Sequence, residues 1–179
     1  MYLPEEDSYF LVEILREYLK NKNLRVLDLG TGSGIISEVL IEEGVSRENI
    51  TASDIDEKVV RKVRKKFGIE VIKSDLFKNK KFSGKKFDLI VFNPPYLPSC
   101  RYDKEKDVTG GKKGDETILR FLKQVKNYLT KNGKILLLLS SLTPRKRINE
   151  ILEKNFKKKK VAEKKLFFEK LEIFLIEKL

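Results

Sequence analysis

The sequence predicts an α/β chain built on a doubly wound parallel sheet, and three observations carry that reading. Strand-like runs alternate with helical periodicity at the spacing of βαβ units. The first strand runs straight into Gly30-Thr31-Gly32-Ser33-Gly34, which opens a helix. The third is Asp88-Leu89-Ile90-Val91-Phe92, an apolar run that stops at Asn93-Pro94-Pro95-Tyr96. Such a run reads as a buried strand. The prolines push Asn93 toward extended geometry and freeze the turn, at the rim where open α/β sheets bind ligands.

The elements follow in order. An amphipathic helix is expected over about residues 4–20, with Pro4 and the acids at its start and Phe10, Leu11, Ile14, Leu15 and Tyr18 on its buried face. Arg25–Leu29 is the first strand, and Ile35–Glu43 a helix capped by Gly44. Asn49–Ser53 is a second strand that ends at Asp54-Ile55-Asp56. A charged helix over Glu57–Phe67 leads to a third strand, Glu70–Lys73, which ends at Ser74-Asp75-Leu76. After Tyr96 a polar segment runs to Gly114; connections of that length are usually functional or disordered. A helix is expected over Asp115–Leu129, with Gly133 resetting the chain before a buried strand at Lys134–Ser140. Pro144 opens a last helix that fades near Asn155, and two strands follow around Lys158–Lys164 and Leu171–Glu177, the second apolar on both faces. No repeat or domain boundary interrupts this series, so residues 1–179 are expected to form one domain.

Composition narrows the function classes. Charged residues make up 37% of the 179, with Lys and Glu in excess and no His or Trp. That enrichment is a weak mark of heat adaptation. The net charge of +12 suits acidic partners such as nucleic acid, or serves solubility alone. One cysteine, Cys100, excludes a disulfide framework and a cysteine metal site, and no metal is expected. The amino terminus shows no signal-peptide core and no apolar run is of membrane-spanning length, so a cytoplasmic location is expected.

The glycine loop and three acids define a pocket. A dinucleotide fingerprint would carry its third glycine at position 35, where Ile35 stands; here Gly30, Gly32 and Gly34 alternate, so that the backbone can press against a ligand without a pyrophosphate. Asp54 ends the next strand, where a carboxylate accepts both hydroxyls of a ribose. Asp75 ends the strand after that, placed for an adenine amine with Leu76 beside the ring. Any one of these acids is also an ordinary turn residue; three at strand ends behind a glycine loop point to an adenosine compound. S-adenosylmethionine fits better than NAD. Asp28 can pair with or be bridged to its ammonium group, and the helix amino terminus after Gly34 favours its carboxylate.

Asp28-Leu-Gly-Thr-Gly-Ser-Gly34, Asp54-Ile55-Asp56, Asp75-Leu76 and Asn93-Pro-Pro-Tyr96 resemble the motifs of S-adenosylmethionine-dependent class I methyltransferases. Within that group the chain looks most like the HemK-type release-factor glutamine methyltransferases in their short archaeal and eukaryotic form. The opening Pro4-x-Glu6-Asp7-Ser8 and the segment Gly110–Gly114 add to the likeness. The resemblance implies a Rossmann-like sheet of seven strands, the last antiparallel, with helices on both faces. It implies that Ser8, Asp28, Gly30, Gly32, Gly34, Asp54, Ile55, Asp75, Leu76 and Asn93 bind the cofactor. It implies as substrate the glutamine of a Gly-Gly-Gln loop on a class-1 release factor. The bacterial-type enzymes carry an added helical domain for docking that factor; this sequence does not show one, so docking is expected to use the core fold or a second protein. The short form's relatives work with a small zinc-binding activator protein, and a similar heterodimer partner is expected.

The tetrapeptide's chemistry stands beside that likeness. An amide or aromatic amine nitrogen is a poor nucleophile because its lone pair is conjugated. The Asn93 side-chain oxygen and the Pro94 carbonyl can both accept from such an NH2 group, orient its lone pair and stabilise charge developing on nitrogen. Pro95 stiffens the turn, and Tyr96 can stack on a flat substrate group. The same arrangement serves adenine N6 or guanine N2 in RNA or DNA, with the base unstacked into the pocket. Arg101, Lys104, Lys106, Lys112 and Lys113 could meet RNA phosphates or a ribosome-like factor surface, or simply be solvated. The likeness to the short-form relatives also implies lysine in another protein as an open alternative acceptor. A catalytically silent module would show a decayed tetrapeptide or glycine loop; both are intact.

Overall fold

A computed structural model describes residues 6–95 and 114–179 of the chain. The amino-terminal Pro4, Tyr96 and the polar segment with Cys100 and its basic residues lie outside the described residues. The strands are β1 (Val26–Leu29), β2 (Ile50–Asp54), β3 (Glu70–Lys73), β4 (Phe87–Phe92), β5 (Leu129–Ser140), β6 (Phe156–Lys165) and β7 (Lys170–Lys178). The helices are α1 (Glu6–Tyr18), α2 (Ile35–Glu42), α3 (Glu57–Phe67), α4 (Glu116–Gln124) and α5 (Lys146–Asn155). The sheet has seven strands in the order β3-β2-β1-β4-β5-β7-β6. β7 is antiparallel to both of its neighbours and the pairings among β1 to β5 are parallel, as the family likeness implies.

Period-2 alternation divides the core into two layers. Val26, Leu89, Val91, Leu136 and Leu138 face α1, α2 and α3, where Leu11, Leu15, Val39, Leu40, Val59 and Val63 complete one cluster. Their neighbours Leu27, Ile90, Phe92, Ile135 and Leu137 face α4 and α5, against Ile118, Phe121, Leu122, Ile148 and Leu152. Strands apolar on both faces are what a sheet covered on both sides requires. β7 follows the same rule, with Ile173 in the first cluster and Ile176 in the second.

Two local signals fix α3 to the residue. Asp56 caps it by accepting from the Lys58 N–H at 2.8 Å, and Gly68 ends it in the left-handed conformation at φ 64°. The expected helix over Asp115–Leu129 is shorter: it ends at Gln124, a 3-10 turn covers Val125–Tyr128, and β5 already begins at Leu129. Leu129 pairs with Phe87, and the register then shifts before Leu89 meets Lys134. Gly133 lies in that irregularity. A Cβ there would stand 2.7 Å from the Phe87 carbonyl oxygen, so the residue that looked like a break is a close approach within one long strand.

Gly34 is equally constrained. Its φ is +86°, and a Cβ would stand 2.7 Å from the Phe67 ring and 3.3 Å from Val63 of α3. Left-handed backbone and overpacking together set the expected loss for Gly34→Ala at about 2–4 kcal/mol of stability, read by urea denaturation. A loss within about 0.5 kcal/mol, the range of an ordinary surface change, would contradict this packing.

Candidate functional site

Parallel register brings the candidate residues to one rim. Leu29 of β1 pairs with Ser53 of β2 on one side and Phe92 of β4 on the other. Gly30, Asp54 and Asn93 are the next residues of those three strands, so they leave the sheet side by side. β3 ends at Lys73, opposite Asp54, and delivers Asp75 and Leu76 to the same edge.

The glycine loop is held from below by Asp28, which is only 2% exposed. Its Oδ2 accepts from the Thr31 hydroxyl at 2.6 Å, the Ser37 hydroxyl at 2.6 Å and the Ser37 N–H at 3.1 Å. One carboxylate oxygen thus ties the loop to the first turn of α2. Gly30, Gly32 and Gly34 all take positive φ, and the Thr31 N–H donates to the Ser53 carbonyl at 2.9 Å, joining the loop to β2.

Burial pushes the Asp28 carboxyl up from 3.8 to about 6, against the lowering effect of its hydrogen bonds. The folded state therefore holds this proton more tightly than the unfolded chain, and stability falls as pH rises through that window, by about 3 kcal/mol from this group. Asp28→Asn is expected to remove this term. The stability difference between the variant and the parent, measured by denaturation at several pH values, should move in the variant's favour between pH 3.8 and about 6. A difference independent of pH would contradict the assignment.

Asp54 faces the loop from β2. Its Oδ2 accepts from the Gly32 N–H at 2.9 Å and its Oδ1 from the Asp56 N–H at 2.9 Å. Beside it Ile55 is 62% exposed, a large apolar side chain at the mouth of the site. Leu76 is buried and is the one non-glycine among the described residues with positive φ, at 52°. Such strain marks positions that the surroundings over-determine.

Asp75 has partners that sequence reasoning missed. Arg120 of α4 donates through one nitrogen to Oδ1 at 3.0 Å and to Oδ2 at 2.8 Å, and the Lys78 ammonium lies 2.7 Å from Oδ2. Burial raises this carboxyl, but the hydrogen bonds from Arg120 and Lys78 prevail and hold it below the usual range. An adenine amine would share the carboxylate with these cations.

At β4 the chain leaves the sheet through Asn93, with Pro94 buried and Pro95 half-buried. The Asn93 Nδ2 donates to Asp7 Oδ2 at 3.0 Å, across 86 residues of sequence. The Asn93 Oδ1 is buried and has no hydrogen-bond partner among the described residues. Ser8, next to Asp7 in the chain, is buried, and its hydroxyl lies 3.3 Å from Asp7 Oδ1. Asp7 was legible only as part of a motif; nothing local tied it to Asn93. Gly30, Asp54 and Asn93 leave the sheet at one rim while Asp28 lies inside it below the loop, and Tyr96 lies outside the described residues.

The glycine loop, the Asp54 carboxylate and the Asn93 amide oxygen, unpartnered among the described residues, stand along one rim of the sheet. The family model for the methyltransferase small domain matches residues 5–171. The chain belongs to the methyltransferase small domain family. Among curated members, a Methanocaldococcus jannaschii protein provisionally named a protein N5-glutamine methyltransferase is 37% identical, over 96% of this chain and 88% of its own length. The release factor glutamine methyltransferase of Shewanella oneidensis is 32% identical over 75% of this chain and 51% of its own, so the methyltransferase described here spans about half of that relative. A tRNA1(Val) (adenine(37)-N6)-methyltransferase of Glaesserella parasuis is 33% identical over 64% of this chain and 50% of its own. Among solved structures, a chain of the E. cuniculi Mtq2–Trm112 complex, responsible for methylation of the eRF1 translation termination factor, superposes with a TM-score of 0.76. It is 27% identical, over 99% of this chain and 98% of that one. The fold is that of the class I methyltransferases. Among the described residues no helix is long and apolar enough to cross a membrane, and no group of His, Cys, Asp and Glu is arranged to hold a metal ion.

Proposed function

We propose that this methyltransferase uses S-adenosylmethionine to methylate the side-chain amide of the glutamine in a Gly-Gly-Gln loop of a class-1 release factor. The observation that carries the reading is the Asn93 Oδ1, buried and unpartnered among the described residues, at the rim beside the glycine loop. Support for the substrate comes from the glutamine-methylating relatives and from the likeness to the complex that methylates eRF1. We read residues 1–179 as one catalytic domain acting in the cytoplasm, with a small zinc-binding activator protein as heterodimer partner.

The residues present fit the cofactor. Asp54 offers two carboxylate oxygens to a ribose, while Ile55 and Leu76 give apolar flanks for a flat ring and Asp75 an acceptor for its amine. Gly30, Gly32 and Gly34 let the loop backbone approach the ligand closely, with the α2 amino terminus favouring its carboxylate. Asp28 steadies the loop and, when ionised, attracts the ammonium group, with Ser8 closing the site from α1. When bound, S-adenosylmethionine supplies an electrophilic methyl group on a sulfonium.

Asn93 Oδ1 and the Pro94 carbonyl accept the two N–H bonds of the substrate amide and turn its lone pair toward that methyl. Pro95 keeps the turn rigid, and Tyr96 is the residue proposed to meet a flat substrate group. Held by Asn93 and Pro94, the substrate nitrogen would take up the methyl and release one proton to water, leaving the cofactor as the neutral thioether. With no histidine in the chain, positioning replaces a strong base.

A second reading, methylation of an adenine or guanine amine in nucleic acid, is favoured by the net charge of +12 and by the tRNA-modifying relative. One assay separates the two. Labelled methyl transfer would be measured to a class-1 release factor with its Gly-Gly-Gln glutamine intact or replaced by alanine, with and without the zinc protein, beside total RNA. Label lost with the glutamine is the expected result. Label found only in RNA would overturn the substrate while leaving fold and family in place.

A further inference from the structure

Asn93 does not hold its own orientation. An asparagine amide presents oxygen and nitrogen on similar arms, and a half-turn about its last bond exchanges them. The proposed chemistry needs oxygen toward the substrate. In this fold the choice is made by Asp7, in the first turn of α1. Its carboxylate is buried, its Oδ1 accepts from the Ser8 N–H at 2.6 Å, and its Oδ2 receives the Asn93 Nδ2 at 3.0 Å. A carboxylate has no hydrogen to give. It meets the NH2 end of Asn93 favourably and repels the oxygen end, so Oδ1 is left facing away, the buried and unpartnered atom described above.

Two features hold Asp7 in place. The amino terminus of α1 favours negative charge at its first turn. Glu6, one residue earlier, pairs with Lys164 of the edge strand β6 at 3.4 Å, next to the start of the helix. The bond to Asp7 also polarises the amide, drawing positive charge to Nδ2 and leaving Oδ1 a stronger acceptor; hydrogen bonds in series strengthen one another in this way.

We infer that Asp7 is the positioning residue of the active site, fixing and polarising the Asn93 amide so that its oxygen meets the substrate NH2 group. This rests on the amide-methylation reading and extends it to a residue outside the tetrapeptide and the cofactor loop. Asp7 touches neither the methyl group nor the nucleophile. Its effect is on the rate of transfer and not on binding.

The test is steady-state kinetics with the full chain and its release-factor substrate. Asp7→Ala is expected to lower kcat by about 10- to 100-fold with both KM values within about twofold. Asn93→Asp sets two carboxylates against each other and is expected to be nearly inactive. Combining it with Asp7→Asn restores one donor facing one acceptor, and the double variant is expected to exceed Asn93→Asp by about tenfold or more. An unchanged kcat for Asp7→Ala, or a double variant no better than Asn93→Asp, would overturn the inference. Where Asp7→Ala fails to fold, the paired exchange still decides. The geometry also has a readout free of any substrate: the Asn93 side-chain NH2 signal in labelled protein should be protected from solvent exchange and lose that protection in Asp7→Ala. If the parent protein transfers no methyl to the factor but this signal behaves as stated, the substrate reading fails and the Asp7–Asn93 contact stands. A signal unaffected by the substitution would remove the contact itself.

Discussion

Asn93→Ala is expected to reduce methyl transfer by about 10³-fold while leaving S-adenosylmethionine binding within a few-fold, because under the proposed mechanism it removes a preorganised acceptor for the transferring nitrogen. The side chain sits one residue beyond the Leu29–Phe92 pairing, so the sheet fixes its backbone. Its Nδ2 donates to Asp7 and its Oδ1 has no partner among the described residues, which leaves the oxygen for the proposed contact with the incoming amine. Alanine leaves the amine free to rotate and its developing charge unscreened. The folding cost is smaller, about 1–2 kcal/mol for the lost bond to the buried Asp7 carboxylate, well within the stability of a domain of this size. Calorimetric titration with cofactor and single-turnover transfer separate the two effects. Undiminished transfer would contradict the role given to Asn93.

Asp54→Ala is expected to weaken cofactor affinity by about 100-fold, the loss of two hydrogen bonds to a charged acceptor. The carboxylate has a second task, since it also receives the N–H groups of Gly32 and Asp56. Removing it loosens the glycine loop as well as the proposed ribose contact. Asp75→Ala should cost less, because Arg120 and Lys78 already share that carboxylate. Titration of both variants with S-adenosylhomocysteine checks the order. An Asp54 variant that binds as tightly as the parent would remove Asp54 from the cofactor site.

What the sequence revealed follows the range of the interactions involved. α3 and β3 were legible to the residue because Asp56, Gly68 and the apolar spacing are local signals. The glycine loop and the strand-end acids were legible because a strand, a turn and a helix in succession determine where their rim must be. The start of β5 was not, since Thr130, Lys131 and Asn132 carry no strand pattern and join the sheet only through the Leu129–Phe87 pairing and the close approach at Gly133. The antiparallel β7 was visible only through family likeness, because strand direction leaves no mark on alternation. The partners that tune the site were hidden for the same reason: Asp7 reaches Asn93 across 86 residues, and Arg120 reaches Asp75 across 45.

The most direct test of the account is to locate the transferred methyl by mass spectrometry of the release factor after reaction with isotopically labelled S-adenosylmethionine. One methyl is expected, on the side-chain nitrogen of the Gly-Gly-Gln glutamine, and the same peptide should stay unlabelled when the enzyme carries Asn93→Ala. A methyl on a lysine, or on a base amine in accompanying RNA with the glutamine untouched, would contradict it.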